Sequence, residues 1–215
     1  MRRFFVIVLL ITLTACSASP TVDVNPLPTT PVIASIPTGN SAPDASSIAP
    51  QADLFTSASI TLPAPNCDAG FTPEDIEGPY FRASSPERYS LIEEGMTGTR
   101  LILVGYVLDQ NCRPVPNAML DFWQADANGE YDNTGYTLRG HQFTDEQGRY
   151  YLETISPGLY PSRPIIHIHV KVQVQGGEVV TTQIYFPEQS VENQTATLEQ
   201  RDGYLVGYFN FVVQY

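Results

Sequence analysis

An all-β fold is predicted for this chain, a single β-sandwich domain over residues 65–215 carried on a disordered N-terminal tether. Three observations lead there. Short apolar or alternating runs recur through the C-terminal part, β-branched and aromatic residues dominate them, and turn-forming clusters separate them. No stretch sustains a helical period apart from a short turn over residues 90–95.

The predicted strands cover residues 101–108, 118–124, 149–155, 165–174, 179–186 and 204–215. Between them lie Asp109-Gln110-Asn111, Asn128-Gly129, Asp145-Glu146-Gln147-Gly148, Ser156-Pro157-Gly158 and Gly176-Gly177, residue types that tolerate or require turn conformations. Many short strands with frequent turns read as a sandwich. Trp123 reads as a core residue of its strand.

The N-terminus is not part of the fold. Arg2 and Arg3 precede an apolar stretch over residues 4–13 and then small residues, the layout of a secretory signal over residues 1–15. The apolar run is too short to cross a bilayer as a helix. Leu13-Thr14-Ala15-Cys16 resembles the bacterial lipobox, which implies lipid on Cys16, export, and anchorage to a bacterial membrane; an ordinary signal cut nearby is the alternative. Residues 16–64 are dense in Pro, Ser, Thr and Ala, cannot bury enough apolar surface to order themselves, and would reach on the order of 40 Å as a coil.

With Cys16 lipidated, Cys67 and Cys112 remain as an even pair in an oxidising compartment, either bridged (worth roughly 4 kcal/mol on the chain-entropy model) or left as two buried thiols. The formal charge is −12 and Lys171 is the single lysine, so no basic patch exists for nucleic acid.

The run from Ile165 to Val174 carries the chemistry. Side chains alternate faces along a strand, so Ile166, Ile168, Val170, Val172 and Val174 share one face and His167, His169, Lys171 and Gln173 the other. Two imidazoles about 7 Å apart along one face, by the rise of two residues, can serve one metal ion. Two solvated polar residues on an open sheet face are the plainer alternative.

Other motifs accompany this one in a fixed order. They are Thr72-Pro73-Glu74-Asp75-Ile76-Glu77-Gly78-Pro79-Tyr80-Phe81, Asp121-Phe122-Trp123-Gln124-Ala125-Asp126, Gly129-Glu130-Tyr131, Leu138-Arg139-Gly140, Pro157-Gly158-Leu159-Tyr160 and Thr182-Gln183-Ile184-Tyr185-Phe186. Together with His167-Ile168-His169 they make residues 66–187 resemble the intradiol ring-cleavage dioxygenases, in particular the secreted protocatechuate 3,4-dioxygenase-like branch.

The resemblance implies one non-haem Fe(III) per chain, ligated by Tyr131, Tyr160, His167 and His169. It also implies that Tyr160 releases the metal and takes a proton when a catechol binds, and that O2 then opens the ring between its hydroxylated carbons to a cis,cis-muconate-type diacid. Hard phenolates suit a trivalent ion, and a planar, permanently charged guanidinium suits charge on the substrate.

Arg163 and Gln183 match residues beside the iron, although Arg163-Pro164-Ile165-Ile166 holds one residue more than the family's spacing before the first histidine. Tyr136 is a reserve for the Tyr131 position, because the stretch between Gly129 and Leu138 is short. Pro79 and Tyr80 border the implied pocket or form a rigid turn. Arg139 either holds a charged substrate group or anchors a loop.

Two other readings stand beside this one. The pattern through Pro114-Val115-Pro116-Asn117-Ala118 also resembles adhesin and transthyretin-like modules, which would make the chain a non-catalytic surface-binding sandwich. Adding His141 to His167 and His169 would make a three-histidine zinc site.

Overall fold

The computed structural model describes residues 51–160 and 163–215; the signal, Cys16 and the tether up to residue 50 lie outside them. The elements are α1 (Gln51–Ser57), β1 (Arg100–Leu108), β2 (Met119–Trp123), β3 (Arg139–Phe143), β4 (Arg149–Ile155), β5 (His167–Gln173), β6 (Val179–Tyr185), β7 (Thr197–Arg201), β8 (Tyr204–Tyr208) and β9 (Phe211–Val212). One sheet runs β4-β1-β8-β7, with β9 also paired to β1, and the other runs β3-β2-β5-β6. β8 and β9 lie parallel to β1, and every other pair is antiparallel.

The two sheets face each other across one apolar layer. Leu101 and Leu103 of β1 and Tyr150 and Leu152 of β4 meet Leu120 and Phe122 of β2, Ile168, Val170 and Val172 of β5 and Ile184 of β6. At roughly 1.5–3 kcal/mol per large side chain buried, this layer dominates the cohesion of the sandwich. Tyr150 is fully buried here and satisfies its hydroxyl on the Phe209 carbonyl at 2.9 Å. Gly105 admits that same carbonyl, since a Cβ there would meet the Phe209 oxygen at 1.7 Å.

The expected elements need three corrections. Residues 51–64 do not belong to a free tether: α1 and the turn after it bury Phe55 and Ile60 against Ile102, Val104, Tyr151 and Val206 on the outer face of the first sheet. The run 204–215 is two strands, broken where Asn210 turns its side chain to accept the Tyr106 amide at 3.1 Å. β3 and β7 were not expected; both are edge strands of polar sequence, where pairing rather than an apolar face holds the strand. The short turn expected over residues 90–95 is present at 94–95, closed by Met96 N on Glu93 O at 3.1 Å, while Ser90 bridges to Glu153.

Cys67 and Cys112 are joined by a disulfide, with Cα atoms 5.7 Å apart. The segment that follows Cys67 is pinned along β6. Asp75 N donates to Thr181 O at 2.9 Å, and the Thr182 hydroxyl donates to Pro73 O at 2.7 Å. Residues 76–81 thereby pass over the outer face of the second sheet.

Candidate metal centre

That outer face carries the site. Register places Arg139 of β3 opposite Trp123 of β2, Trp123 opposite His169 of β5, and His169 opposite Gln183 of β6. One step along, His167 faces Tyr185. Both histidines are buried, and their Nε2 atoms lie 3.1 Å apart. Two nitrogens bound at right angles to one ion, each about 2.1 Å from it, would be about 3 Å apart, so the pair already has the spacing of adjacent ligands. His167 Nδ1 donates to Ile165 O at 2.7 Å, which leaves the Nε2 lone pair free for a metal. Trp123 stacks flat on His169, with ring centroids 4.8 Å apart.

Loops supply the other two rings. Gly129 has φ +82, and a Cβ on it would meet Leu159 O at 2.1 Å; one on Gly158 would meet Ala127 O at 2.3 Å. The loops 126–131 and 156–160 approach this closely only because neither position has a side chain. Asp126 O accepts both Gly129 N and Gly158 N, at 3.1 and 2.7 Å, and so ties the two loops together.

The result is that Tyr131 and Tyr160 sit edge to face, centroids 5.7 Å apart. Tyr160 lies 5.9 Å from His167, His167 4.7 Å from His169, and His169 6.3 Å from Tyr131. The four rings close a circuit.

The donor set fits a hard, highly charged cation. The Tyr131 hydroxyl is buried without a well-formed hydrogen bond, an arrangement that costs about 1–3 kcal/mol unless something satisfies it. Burial first, and the neighbouring Tyr160 phenol second, push Tyr131 well above the usual phenol range. Burial also raises Tyr160, opposed by Arg163. Without a cation both phenols keep their protons, and a trivalent ion would supply the charge that draws them off. Among the described residues no cluster of three His, Cys, Asp or Glu forms.

The remaining expected residues divide cleanly. Arg163 reaches the site despite the extra residue before His167, and its charge is felt at all four rings. Gln183 is fully buried and donates to Ile76 O at 2.8 Å. Tyr80 stacks on Tyr131 at 4.2 Å, and Pro79 is exposed just after Gly78, which packs beside the His169 ring.

Arg139 is buried and spends its guanidinium on Tyr80 O (2.6 Å) and Asp132 O (2.8 Å), the contacts of a loop anchor rather than of a substrate clamp. Tyr136 turns its hydroxyl to Ala83 O at 2.8 Å, whereas Tyr131 lies beside Tyr160 and His169. His141 is held by Ser85 O at 2.7 Å and pairs across the sheet with Asp121, apart from the other two histidines, so the three-histidine zinc site does not form.

Trp123 is a correction: it is buried, but on the face opposite the apolar layer, as the floor under His169. Its parity with Asp121, against Leu120 and Phe122, was the signal. Asp75 and Tyr185 were also missed as site residues; Tyr185 shares parity with Gln183.

Burial first, and then the charge of His167, hold the His169 pKa down at about 2, against 6.5 for the free ring. Below pH 6.5 the unfolded chain takes up a proton that the folded chain refuses, so stability is intact above that pH and is lost as pH falls. Metal-free protein is expected to lose about 2 kcal/mol from His169 between pH 7 and pH 5, above the range where carboxylates titrate. Urea denaturation at the two pH values measures it; a stability that stays flat across the interval refutes the assignment.

A two-sheet sandwich that gathers two tyrosines and two histidines on the outer face of one sheet is the scaffold of an oxygenase class. The family model described as "Dioxygenase" matches residues 76–208, more than half of the chain. The chain belongs to the intradiol ring-cleavage dioxygenase family.

It is 34% identical over 141 residues to a catechol 1,2-dioxygenase of Acinetobacter baylyi, covering 53% of this chain and 45% of that one. It is 35% identical over 108 residues to a protocatechuate 3,4-dioxygenase beta chain of Burkholderia cepacia, covering 42% and 46%. The chain thus spans under half the length of these relatives. Among solved structures, the dioxygenase domain of a dioxygenase carbohydrate-binding protein fusion from Streptomyces sp. SirexAA-E superposes with a TM-score of 0.65 at 43% identity. That match covers 67% of this chain and 98% of that one.

Proposed function

We propose that this protein cleaves a catechol ring between its two hydroxylated carbons with O2, using one ferric ion held by Tyr131, Tyr160, His167 and His169. The observation that carries the reading is the closed circuit of those four rings, with two imidazole nitrogens 3.1 Å apart and a buried phenol without a well-formed hydrogen bond. A ferric ion bound there would act as Lewis acid and template for the diol.

The chain's own part follows from an asymmetry between the phenols. The Tyr131 hydroxyl is shut off beneath Tyr80, whereas Tyr160 ends a loop beside the exposed Leu159. Tyr160 is therefore the ring free to swing aside, and its ionised oxygen is placed to accept a proton from an incoming diol. Arg163 favours the negative charge that the substrate then carries. Trp123 and the sheet behind it keep water from the histidine side.

Purified protein supplied with iron should hold about one ferric ion per chain, show a tyrosinate charge-transfer colour, and consume O2 with at least one of a panel of catechols. The colour should weaken and shift in wavelength in Tyr160→Phe, which leaves Tyr131 as the single phenolate. A colourless, metal-free preparation inert toward catechols would overturn the reading and leave a surface-binding sandwich. The same cultures address the lipid on Cys16, which rests on the sequence 13–16. The full-length chain should fractionate with membranes and Cys16→Ser should not, and identical fractionation would remove the anchor.

A further inference from the structure

Arg163 should be out of place, because the segment that carries it holds one residue more than the family spacing. Two contacts hold that segment. The Gln189 side chain accepts the Ile166 amide at 3.1 Å and donates to Pro164 O at 2.6 Å, which ties the segment to the short turn 187–189 that follows β6. The guanidinium itself then meets Tyr185, whose hydroxyl accepts Arg163 Nη2 at 2.7 Å.

Tyr185 is almost fully buried, directly opposite His167 on the next strand. Its hydroxyl has one proton to give and two acceptors in range, Asp75 Oδ2 at 2.7 Å and Gln183 Oε1 at 3.1 Å. The shorter contact to a charged oxygen wins, because a charge-assisted hydrogen bond is roughly twice as strong as a neutral one. Asp75 and Arg163 form only a long ion pair, with the nearest nitrogen and oxygen 3.9 Å apart, too far for a direct hydrogen bond. The phenol bridges them.

The carboxylate end of the bridge is well fixed. Asp75 Oδ1 accepts Ile76 N at 2.7 Å, and Oδ2 accepts Gln194 Nε2 at 3.2 Å. Gln183 joins the cluster through Nε2 to Ile76 O at 2.8 Å, and more weakly to Asp75 Oδ1 at 3.3 Å.

We propose that Tyr185 is a positioning residue, a neutral bridge between Asp75 and Arg163 that holds the guanidinium beside His167. Tyr185 touches neither substrate nor metal and acts through Arg163. The inference rests on the dioxygenase reading for what Arg163 does, but not for how Arg163 is held.

Tyr185→Phe keeps the ring against His167 and deletes only the bridging oxygen. In the full iron-loaded chain, Tyr185→Phe should keep the charge-transfer band and stay folded, its melting temperature falling by only a few degrees, while kcat falls about tenfold, the cost of one lost charge-assisted contact. Arg163→Ala should fall further, and adding Tyr185→Phe to it should change nothing more, because the phenol then has nothing to position. Multiplying losses in the double variant would overturn the proposal, as would an unchanged kcat in Tyr185→Phe.

A second measurement needs no turnover. In the full chain without iron, the Arg163 side-chain N–H signals in nitrogen-15 NMR should be dispersed and protected from exchange, and should collapse to the free-arginine position in Tyr185→Phe. Signals equally protected in the variant would sink the bridge. An inactive, colourless parent whose Arg163 signals still depend on Tyr185 would sink the dioxygenase reading alone.

Discussion

His169→Ala is expected to strip the protein of its metal and its colour and to lower ring cleavage at least about a thousandfold, since several kcal/mol of Lewis-acid assistance would go with the ion. The residue is 1% exposed, stacked on Trp123 and 3.1 Å from its partner nitrogen, so no neighbour can fill in as a ligand. The fold should survive. The apolar layer lies on the other face of β5, and a cavity beside Trp123 leaves it intact. Metal analysis together with near-ultraviolet circular dichroism of Trp123 separates the two effects; a variant that keeps one iron per chain would show that His169 is not a ligand.

Gly129→Ala is expected to cost about 2–4 kcal/mol and to weaken metal retention as well, because two penalties coincide at one residue. Its backbone lies at φ +82, and the new methyl would strike the Leu159 carbonyl next to Tyr160. Relief requires the two loops to part, and with them Tyr131 and Tyr160. Gly176→Ala is the control: its φ is +77 but nothing lies within 4 Å of a Cβ there, so only the conformational cost of about 1–2 kcal/mol applies and the metal should be unaffected. Urea denaturation and iron content of both variants check this. Equal losses in the two would mean that the close approach of the loops carries no strain.

The sites differ in how legible they were. His167 and His169 could be read directly, because alternation along an apolar strand leaves no choice of face. Tyr131 and Tyr160 needed the family resemblance, since nothing local distinguishes them among twelve tyrosines. Tyr136 and His141 stayed in contention for the same reason, and only their contacts with Ala83 and Ser85 removed them. β3 and β7 escaped notice because an edge strand is held by its neighbour's hydrogen bonds, which leave no period in its own residues. α1 was hidden by the low-complexity composition around it, although Phe55 and Ile60 were the apolar residues that would dock it.

Local order was written in the chain: strand periods, turn residues, an even cysteine pair and one strand with its imidazoles all facing one way. These follow from backbone geometry over a few residues and need no partner. What tertiary structure alone decided was convergence. The approach of two glycine-hinged loops, the floor formed by Trp123, the anchoring of Arg139 and the bridging of Arg163 by Tyr185 each depend on groups dozens of residues apart, whose distances are set by how two sheets pack rather than by any sequence interval.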